Sequence, residues 1–258
     1  MTLGIVQARL GSTRLPGKVL MDLLGKPMLV RELERLDHCT TLDALVVATS
    51  DSPQDDPLAG LLEAEGRDVF RGSEVDVLDR YYRCAKQWQA DVVVRITGDC
   101  PLICPDVLDA VVRLYHAHPD CEYGNNAEPP TYPDGLDTEV FPWRILELMW
   151  RRATGGEREH VTPYVRLRPD QFRHCTVRHE ADLSWMRWTV DEPRDLEFVR
   201  RVYSALYQEG SVFGMDAILR LLAERPELTT INQGIPRDLA LKRLREARKE
   251  RCRESPEA

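Results

Sequence analysis

Short apolar runs alternate, over the first 120 residues, with segments whose apolar residues recur at helical spacing. Runs rich in aliphatic residues lie at 3–8, 42–49 and 91–97, with a shorter one at 68–70. Such runs are typical of strands buried on both faces of a sheet. Helical spacing marks the segments between them, at 28–36, 58–65, 75–89 and 105–117. This regular alternation predicts an α/β fold, in which an open, mostly parallel sheet has helices on both faces.

The pattern becomes less regular after about residue 120. Turn-forming residues crowd the stretch NNAEPPTYPDG, and the elements predicted around and after it are strands at 136–141, 172–177 and 186–190 and helices at 142–153 and 157–167. We interpret residues 121–190 as a smaller elaboration that serves as a lid or a dimerisation surface. Helices are predicted again after Pro193 and over 214–225. One main domain then spans residues 1–235, followed by a charged helix and tail at 236–258.

Composition argues against a nucleic-acid-binding, secreted or membrane protein. The 258 residues carry a formal net charge of −8, which argues against general binding of nucleic acid, because such binding depends on basic surface. The first residues lack the charged and apolar regions of a signal peptide, and no apolar stretch is long enough to span a membrane. Seven scattered cysteines without a CxxC pair favour reduced thiols. We therefore expect a cytoplasmic protein that binds neither nucleic acid nor membrane.

The densest group of candidate functional residues directly follows the first predicted strand, in the segment QARLGSTRLPGK. Two glycines, Gly11 and Gly17, and three cations, Arg9, Arg14 and Lys18, fall within ten residues of one another. A glycine-rich turn after a strand exposes backbone N–H groups to anions, and the cations suit the phosphates of a nucleotide. The segment is not a P-loop, because five residues rather than four separate the glycines and no Ser or Thr follows the lysine. It predicts a phosphate-binding loop of another kind.

This loop, read as VQARLGSTRLPGKVL, closely resembles the opening of the CMP-sugar synthetase-like cytidylyltransferases, nearest to their branch of spore coat polysaccharide biosynthesis proteins. The resemblance continues through RGSEVDVL at 71–78, GDCP at 98–101, DGLDTE at 134–139, EHVTPY at 159–164 and WTVDEP at 188–193. It covers roughly residues 3–200. The opening motif and GDCP are specific in combination, whereas each shorter motif is weak alone.

The resemblance implies a Rossmann-like nucleotidyltransferase that moves CMP from CTP to a sugar acid or related small acidic acceptor, with release of pyrophosphate, for surface polysaccharide or related biosynthesis. It implies Mg²⁺ as cofactor and a homodimer as assembly. The residues it assigns are catalytic (Arg14, Lys18, Asp99), nucleotide-binding (Ala8, Arg9, Leu10, Gly11, Ser12, Arg14, Lys18, Arg71, Gly72, Ser73), metal-binding (Asp99, Asp191) and acceptor-binding (Asp137, Glu139, His160).

Other interpretations stay open for several of these residues. Asp99 and Asp191 also suit turn or helix caps, Asp137 suits a strand edge, and His160 suits a structural hydrogen bond. At the level of function, the rivals are a metal-dependent glycosyltransferase and a non-catalytic nucleotide-sugar-binding protein on the same fold. The absence of any Asp-x-Asp sequence disfavours the glycosyltransferase. UTP in place of CTP, and the identity of the acceptor, are not decided by the sequence.

Overall fold

The computed structural model describes residues 1–237 and 241–247. Its strands are β1 Thr2–Gln7, β2 Asp22–Leu23, β3 Lys26–Pro27, β4 Ala44–Ser50, β5 Asp68–Gly72, β6 Val92–Thr97, β7 Tyr123–Asn125, β8 Glu139–Pro142 and β9 His174–Thr176. The helices are α1 Met28–Leu36, α2 Asp56–Ala64, α3 Val77–Gln87, α4 Pro105–Ala117, α5 Trp143–Arg152, α6 Gly156–His160, α7 Pro163–Arg166, α8 Pro193–Leu206 and α9 Met215–Glu224. No helix in these residues is both long and apolar enough to cross a bilayer.

The main sheet has the strand order β5-β4-β1-β6-β8-β7-β9. β1, β4, β5 and β6 run parallel, and β8 then pairs antiparallel with β6. The carboxyl ends of the four parallel strands therefore meet at one edge of the sheet, where ligands bind in open α/β folds. The prediction of an open, mostly parallel sheet is confirmed.

Helices cover both faces because successive strand residues point to opposite sides. Ile5 belongs to a buried cluster with residues of α3 and α5, whereas Val6 belongs to another with residues of α1, α2 and α4. A third cluster joins Trp188 to α8 and α9 and includes Leu15 of the loop after β1. The third cluster ties that loop to the C-terminal half of the chain.

Two predicted elements are wrong in detail. Residues 186–190 form no strand, because their backbone bonds go to two separate segments: Trp188 N–H bonds to Asp134 and Val190 N–H to Asp99. The predicted helix over 157–167 is divided into α6 and α7, since Val161 between them has a φ of 69° and Pro163 starts a new helix.

The region 121–190 continues the main sheet through β7, β8 and β9. β7 was not predicted, because three residues beside a turn-rich stretch carry no periodic signal. In the predicted C-terminal helix, residues 241–247 are helical, and 238–240 and 248–258 lie outside the described residues.

Candidate active site

The loop after β1 is held in place by backbone bonds and by one buried carboxylate. Ala8 N–H bonds to the Ala48 carbonyl at 3.3 Å, and Leu10 N–H donates to Asp55 at 2.7 Å. Ser50 at the end of β4 donates its hydroxyl to the other oxygen of Asp55. Asp55 thus connects the loop to the carboxyl end of the neighbouring strand.

Lys18, at the end of this loop, joins the two predicted metal aspartates. Its ammonium donates to Asp99 Oδ2 at 2.8 Å, to Asp191 Oδ1 at 2.9 Å and to the Val190 carbonyl at 2.8 Å. Arg14 pairs with the other oxygen of Asp191 at 3.0 Å. Two aspartates 92 positions apart in the chain therefore converge on one nitrogen, within 2.9 Å each.

In this cluster, Lys18 and the two aspartates stabilise one another's charged forms. Burial favours the neutral form of Asp99, but the ammonium of Lys18 outweighs burial and lowers the pKa of Asp99 to about 2. Burial also acts to lower the pKa of Lys18, yet Asp99 and Asp191 raise it above its ordinary value. The lysine is 9% exposed and Arg14 is 50% exposed. Arg14 is therefore largely solvated, whereas Lys18 of the same loop is buried.

Asp99 is placed by a close approach of two strands. Gly98 N–H bonds to the Gln7 carbonyl at 2.8 Å, and a Cβ on Gly98 would lie 3.0 Å from that of Ala8. The following amide, of Cys100, donates to Glu32 of α1 at 3.0 Å. Only glycine permits this approach, so the GDCP turn brings Asp99 beside the loop after β1.

Asp191 is placed by Arg187. This guanidinium, 7% exposed, donates to Asp191 at 2.7 Å, to Asp134 at 2.8 Å and to Asp195 of α8 at 3.0 Å. Asp195 also accepts from the Asp191 backbone N–H at 2.9 Å. Four side chains thus form one charged network that orients the second predicted metal ligand.

A cavity of about 560 Å³ opens beside this cluster, over β6 and β8. Its polar lining includes the side chains of Arg14, Asp99, Asp191, Arg95, Arg166, Thr162, Arg187, Asp134, Asp137, Glu139 and His160. All three predicted acceptor-binding residues are among them. Its size and its mixture of guanidinium and carboxylate groups suit a small, polar, charged molecule.

Glu139 occupies the buried base of this cavity. It pairs with Arg95, accepts from Tyr123 and Thr162, and lies 3.9 Å from Arg166. Burial acts to raise the pKa of Glu139, but the two guanidinium groups outweigh it and lower the pKa. Asp137 is bound by Arg237 of the C-terminal segment. Acceptor binding by these residues stays a prediction, since each already has a protein partner.

Apart from Arg14 and Lys18, which belong to the cluster itself, the predicted nucleotide-binding residues lie on the other side of it. Residues 8–12 follow β1, and Arg71 and Gly72 end β5, two strands away. Arg71 pairs with Asp56 at 2.6 Å and donates to the Ser50 carbonyl at 3.0 Å, and Ser73 O accepts from buried Arg80. These residues extend along the carboxyl edge of the parallel strands and do not line the cavity.

The donor set at the cluster fits a divalent cation that is shared with phosphate. Asp99 and Asp191 would offer carboxylate oxygens, and no group of three or more potential ligands occurs in residues 1–237 and 241–247. Mg²⁺ commonly takes one or two carboxylates and completes its shell with phosphate and water. The role of both aspartates as metal ligands remains a prediction.

Four residues that shape this site were not predicted from the sequence. Asp55, Glu32 and Arg187 act through hydrogen bonds to other site residues, and such contacts leave no local pattern. Arg95 left one signal, because a charged residue within the apolar run of β6 requires a buried partner. That partner is Glu139 on β8.

Known proteins share this arrangement of sequence and fold. The family model for cytidylyltransferases matches residues 3–218. The Bacillus subtilis spore coat polysaccharide biosynthesis protein SpsF is 34% identical, over 88% of this chain and 95% of its own length. A 3-deoxy-manno-octulosonate cytidylyltransferase of Chlamydia trachomatis is 32% identical, over 81% of this chain and 86% of its own. The solved structure of a cytidylyltransferase from Leptospira borgpetersenii has a TM-score of 0.85 and 32% identity, and the match covers 91% of this chain and 98% of that one. The chain described here is therefore a member of the cytidylyltransferase family.

Proposed function

We propose that this protein transfers CMP from CTP to a sugar acid, with Mg²⁺ as cofactor and release of pyrophosphate. The observation that carries the proposal is the convergence of Lys18, Asp99, Asp191 and Arg14 between the loop after β1 and the cavity. A nucleotide along the carboxyl edge of the parallel strands and an acceptor in the cavity would meet at these four charges.

One side of the site would bind the nucleotide, and the other would bind the acceptor. In the loop at residues 8–12, the backbone N–H groups of Ala8, Leu10 and Ser12 bond to the protein, and those of Arg9 and Gly11 would bind the nucleotide. The arginines of the cavity, which include Arg95 and Arg166, present positive charge on the acceptor side. The names of the relatives support the acceptor class, since one acts on 3-deoxy-manno-octulosonate and another takes part in polysaccharide biosynthesis.

The reaction is a direct displacement at phosphorus. An acceptor hydroxyl oxygen attacks the α-phosphorus of CTP and releases its proton to solvent, the bond from that phosphorus to the oxygen that bridges it to the β-phosphorus breaks, and pyrophosphate leaves with the electron pair. Arg14, half exposed beside the cavity, neutralises charge that develops on the phosphates. Lys18 holds the two aspartates in place. The bound cation would supply further charge neutralisation from Asp99 and Asp191.

Pyrophosphate release with each of the four NTPs tests the proposal. Acceptors would be 3-deoxy-manno-octulosonic acid, N-acetylneuraminic acid, a sugar phosphate and a neutral sugar, each with Mg²⁺ and with EDTA. We expect release with CTP and a sugar acid and loss of release in EDTA. CTP should also raise the melting temperature more than ATP, GTP or UTP does. An equal or larger effect of UTP would remove the assignment to CTP.

We further propose that the protein acts in the cytoplasm as a homodimer. The six cysteines within the described residues are unpaired thiols, as expected of a reducing compartment. The dimer rests on the family resemblance. Light scattering tests it, because a mass near the 29.6 kDa of one chain would exclude the dimer.

A further inference from the structure

The C-terminal segment crosses the acceptor side of the cavity. We call its described part, residues 236, 237 and 241–247, the C-terminal strap. Arg237 donates to the Tyr132 carbonyl at 2.9 Å and pairs with Asp137. At the other end of the strap, Arg245 pairs with Glu128 at 2.5 Å. These two anchors fix the strap to the segment between β7 and β8.

Apolar packing holds the strap between these anchors. Leu241 is 6% exposed. Leu244 packs so closely on α6 that a Cβ on Gly156 would lie 2.9 Å from its Cδ2 atom. The strap therefore has a defined place on the fold, although the charged composition of its sequence is typical of a solvated tail.

The strap also supplies part of the wall of the cavity. Pro236, Leu241 and Arg243 line it together with the residues of β6 and β8. The match to the cytidylyltransferase family ends at residue 218, so this wall lies outside the part that the family model describes. The strap is thus a feature through which this chain can differ from other members in its choice of acceptor.

Arg243 differs from the other arginines of the cavity in having no carboxylate partner among the described residues. Arg14 pairs with Asp191, Arg95 with Glu139, Arg166 with Glu128, and Arg187 with three aspartates. Arg243 is exposed and makes no ion pair with residues 1–237 or 241–247. Its guanidinium has the donor geometry that binds a carboxylate with two parallel hydrogen bonds.

We propose that the three strap residues that line the cavity, Pro236, Leu241 and Arg243, form the specificity-determining wall of the acceptor site and that Arg243 binds the acidic group of the acceptor. The inference rests on the proposed function, because it names the part of the site that selects an acidic acceptor. Each of the other cavity arginines already has a carboxylate partner in the protein, whereas Arg243 is left to pair with the carboxylate of the acceptor.

The test compares Arg243→Ala, Arg243→Lys and the matched control Lys242→Ala in the full-length chain. Lys242 is the adjacent exposed cation and does not line the cavity. We expect Arg243→Ala to raise the KM for 3-deoxy-manno-octulosonic acid, or for N-acetylneuraminic acid if the wild type uses that acid, by about tenfold to a hundredfold, the range for one lost charge-assisted hydrogen bond. Arg243→Lys should give a smaller increase, and Lys242→Ala should match the wild type. The KM for CTP should stay within about twofold of the wild-type value in all three variants, since the strap lies on the acceptor side.

Undocking the strap gives a second, independent measurement. Arg237→Ala removes the anchor at Asp137 and leaves Arg243 unchanged, so it should raise the acceptor KM while the thermal shift with CTP is retained. A wild-type acceptor KM in both Arg243→Ala and Arg237→Ala would overturn the inference. Wild-type protein that binds CTP by calorimetry but neither turns over nor binds either acid would overturn it too. Failure to bind CTP at all would instead remove the proposed function.

Discussion

At the scale of the residue, Lys18 and Arg14 provide a paired test, since both are loop cations but differ in burial. We expect Lys18→Ala and Arg14→Ala each to reduce turnover about a hundredfold, or ~3 kcal/mol, as for one lost electrostatic donor. Lys18→Ala should also lower the free energy of unfolding by about 1–3 kcal/mol, because two carboxylates lose their shared donor. Arg14→Ala should change it by less than about 0.5 kcal/mol, since the side chain is half exposed.

Urea unfolding of both variants beside steady-state kinetics separates these effects. An unchanged unfolding midpoint for Lys18→Ala would contradict the structural role of the ammonium. Near-normal turnover in both variants would show that neither cation takes part in the reaction.

Asp99 and Asp191 are expected to act as a single unit. Asp99→Asn and Asp191→Asn each keep the shape of the side chain and remove one charge. Each change should abolish most turnover and weaken Mg²⁺-dependent binding of CTP, and the double variant should lose little more than either single one. Single-turnover rates measure the loss of turnover, and calorimetric titration of CTP with and without Mg²⁺ measures the loss of metal-dependent binding.

The exposed residue Asp216, in the first turn of α9, is a suitable control, and Asp216→Asn should resemble the wild type. Losses that simply add in the double variant would mean that the two aspartates act separately, contrary to their convergence on Lys18.

At the scale of the element, the loop after β1 depends on the short 3-10 helix Pro53–Asp55 that follows β4. Asp55→Ala leaves Leu10 N–H and Ser50 without their acceptor. We expect the KM for CTP to rise about tenfold and the free energy of unfolding to fall by about 1–3 kcal/mol, the cost of buried groups without partners.

Asp55→Asn retains one oxygen and should give a smaller increase in the KM for CTP than Asp55→Ala. The KM for the acceptor should be unchanged in both variants, because Asp55 does not line the cavity. A raised acceptor KM with a normal CTP KM would show that this helix does not organise the nucleotide side.

At the scale of the whole molecule, the site lies where the sheet changes direction. β6 pairs parallel with β1 on one side and antiparallel with β8 on the other. In the proposed function, the nucleotide would lie at the strand ends of the parallel half, and the acceptor would lie in the cavity beside Glu139 of the antiparallel half. β6 contributes to both halves, through the GDCP turn at its end and through Arg95 within it.

The ion pairs that join the two halves make stability depend on pH. The pKa of Glu139 is lower in the folded protein than its ordinary value of 4.5, so its stabilising effect is fully present above that pH and is lost as the pH falls through the lower pKa of the folded protein. Glu139→Gln should therefore lower the free energy of unfolding by about 1–3 kcal/mol at pH 7, and the difference from wild type should shrink below about pH 4.

Denaturant unfolding between pH 3 and 8 measures this dependence. The exposed pair of Glu147 and Arg151 serves as control, and Glu147→Gln should change stability by less than about 0.5 kcal/mol at every pH. A difference between Glu139→Gln and wild type that stays constant with pH would contradict the assignment.

The sequence alone determined the alternating strands and helices of the first 120 residues, because burial on both faces of a parallel sheet imposes long apolar runs. It also determined the position of the loop after β1 that we predict to bind phosphate, since a strand followed by glycines and cations is a local pattern. Only the tertiary structure decided that Lys18 is buried between Asp99 and Asp191, that residues 186–190 are not a strand, and that Pro236, Leu241 and Arg243 line the cavity. Each of these outcomes depends on partners far away in the chain, and neither hydrophobic periodicity nor local composition records which distant charge a side chain will meet.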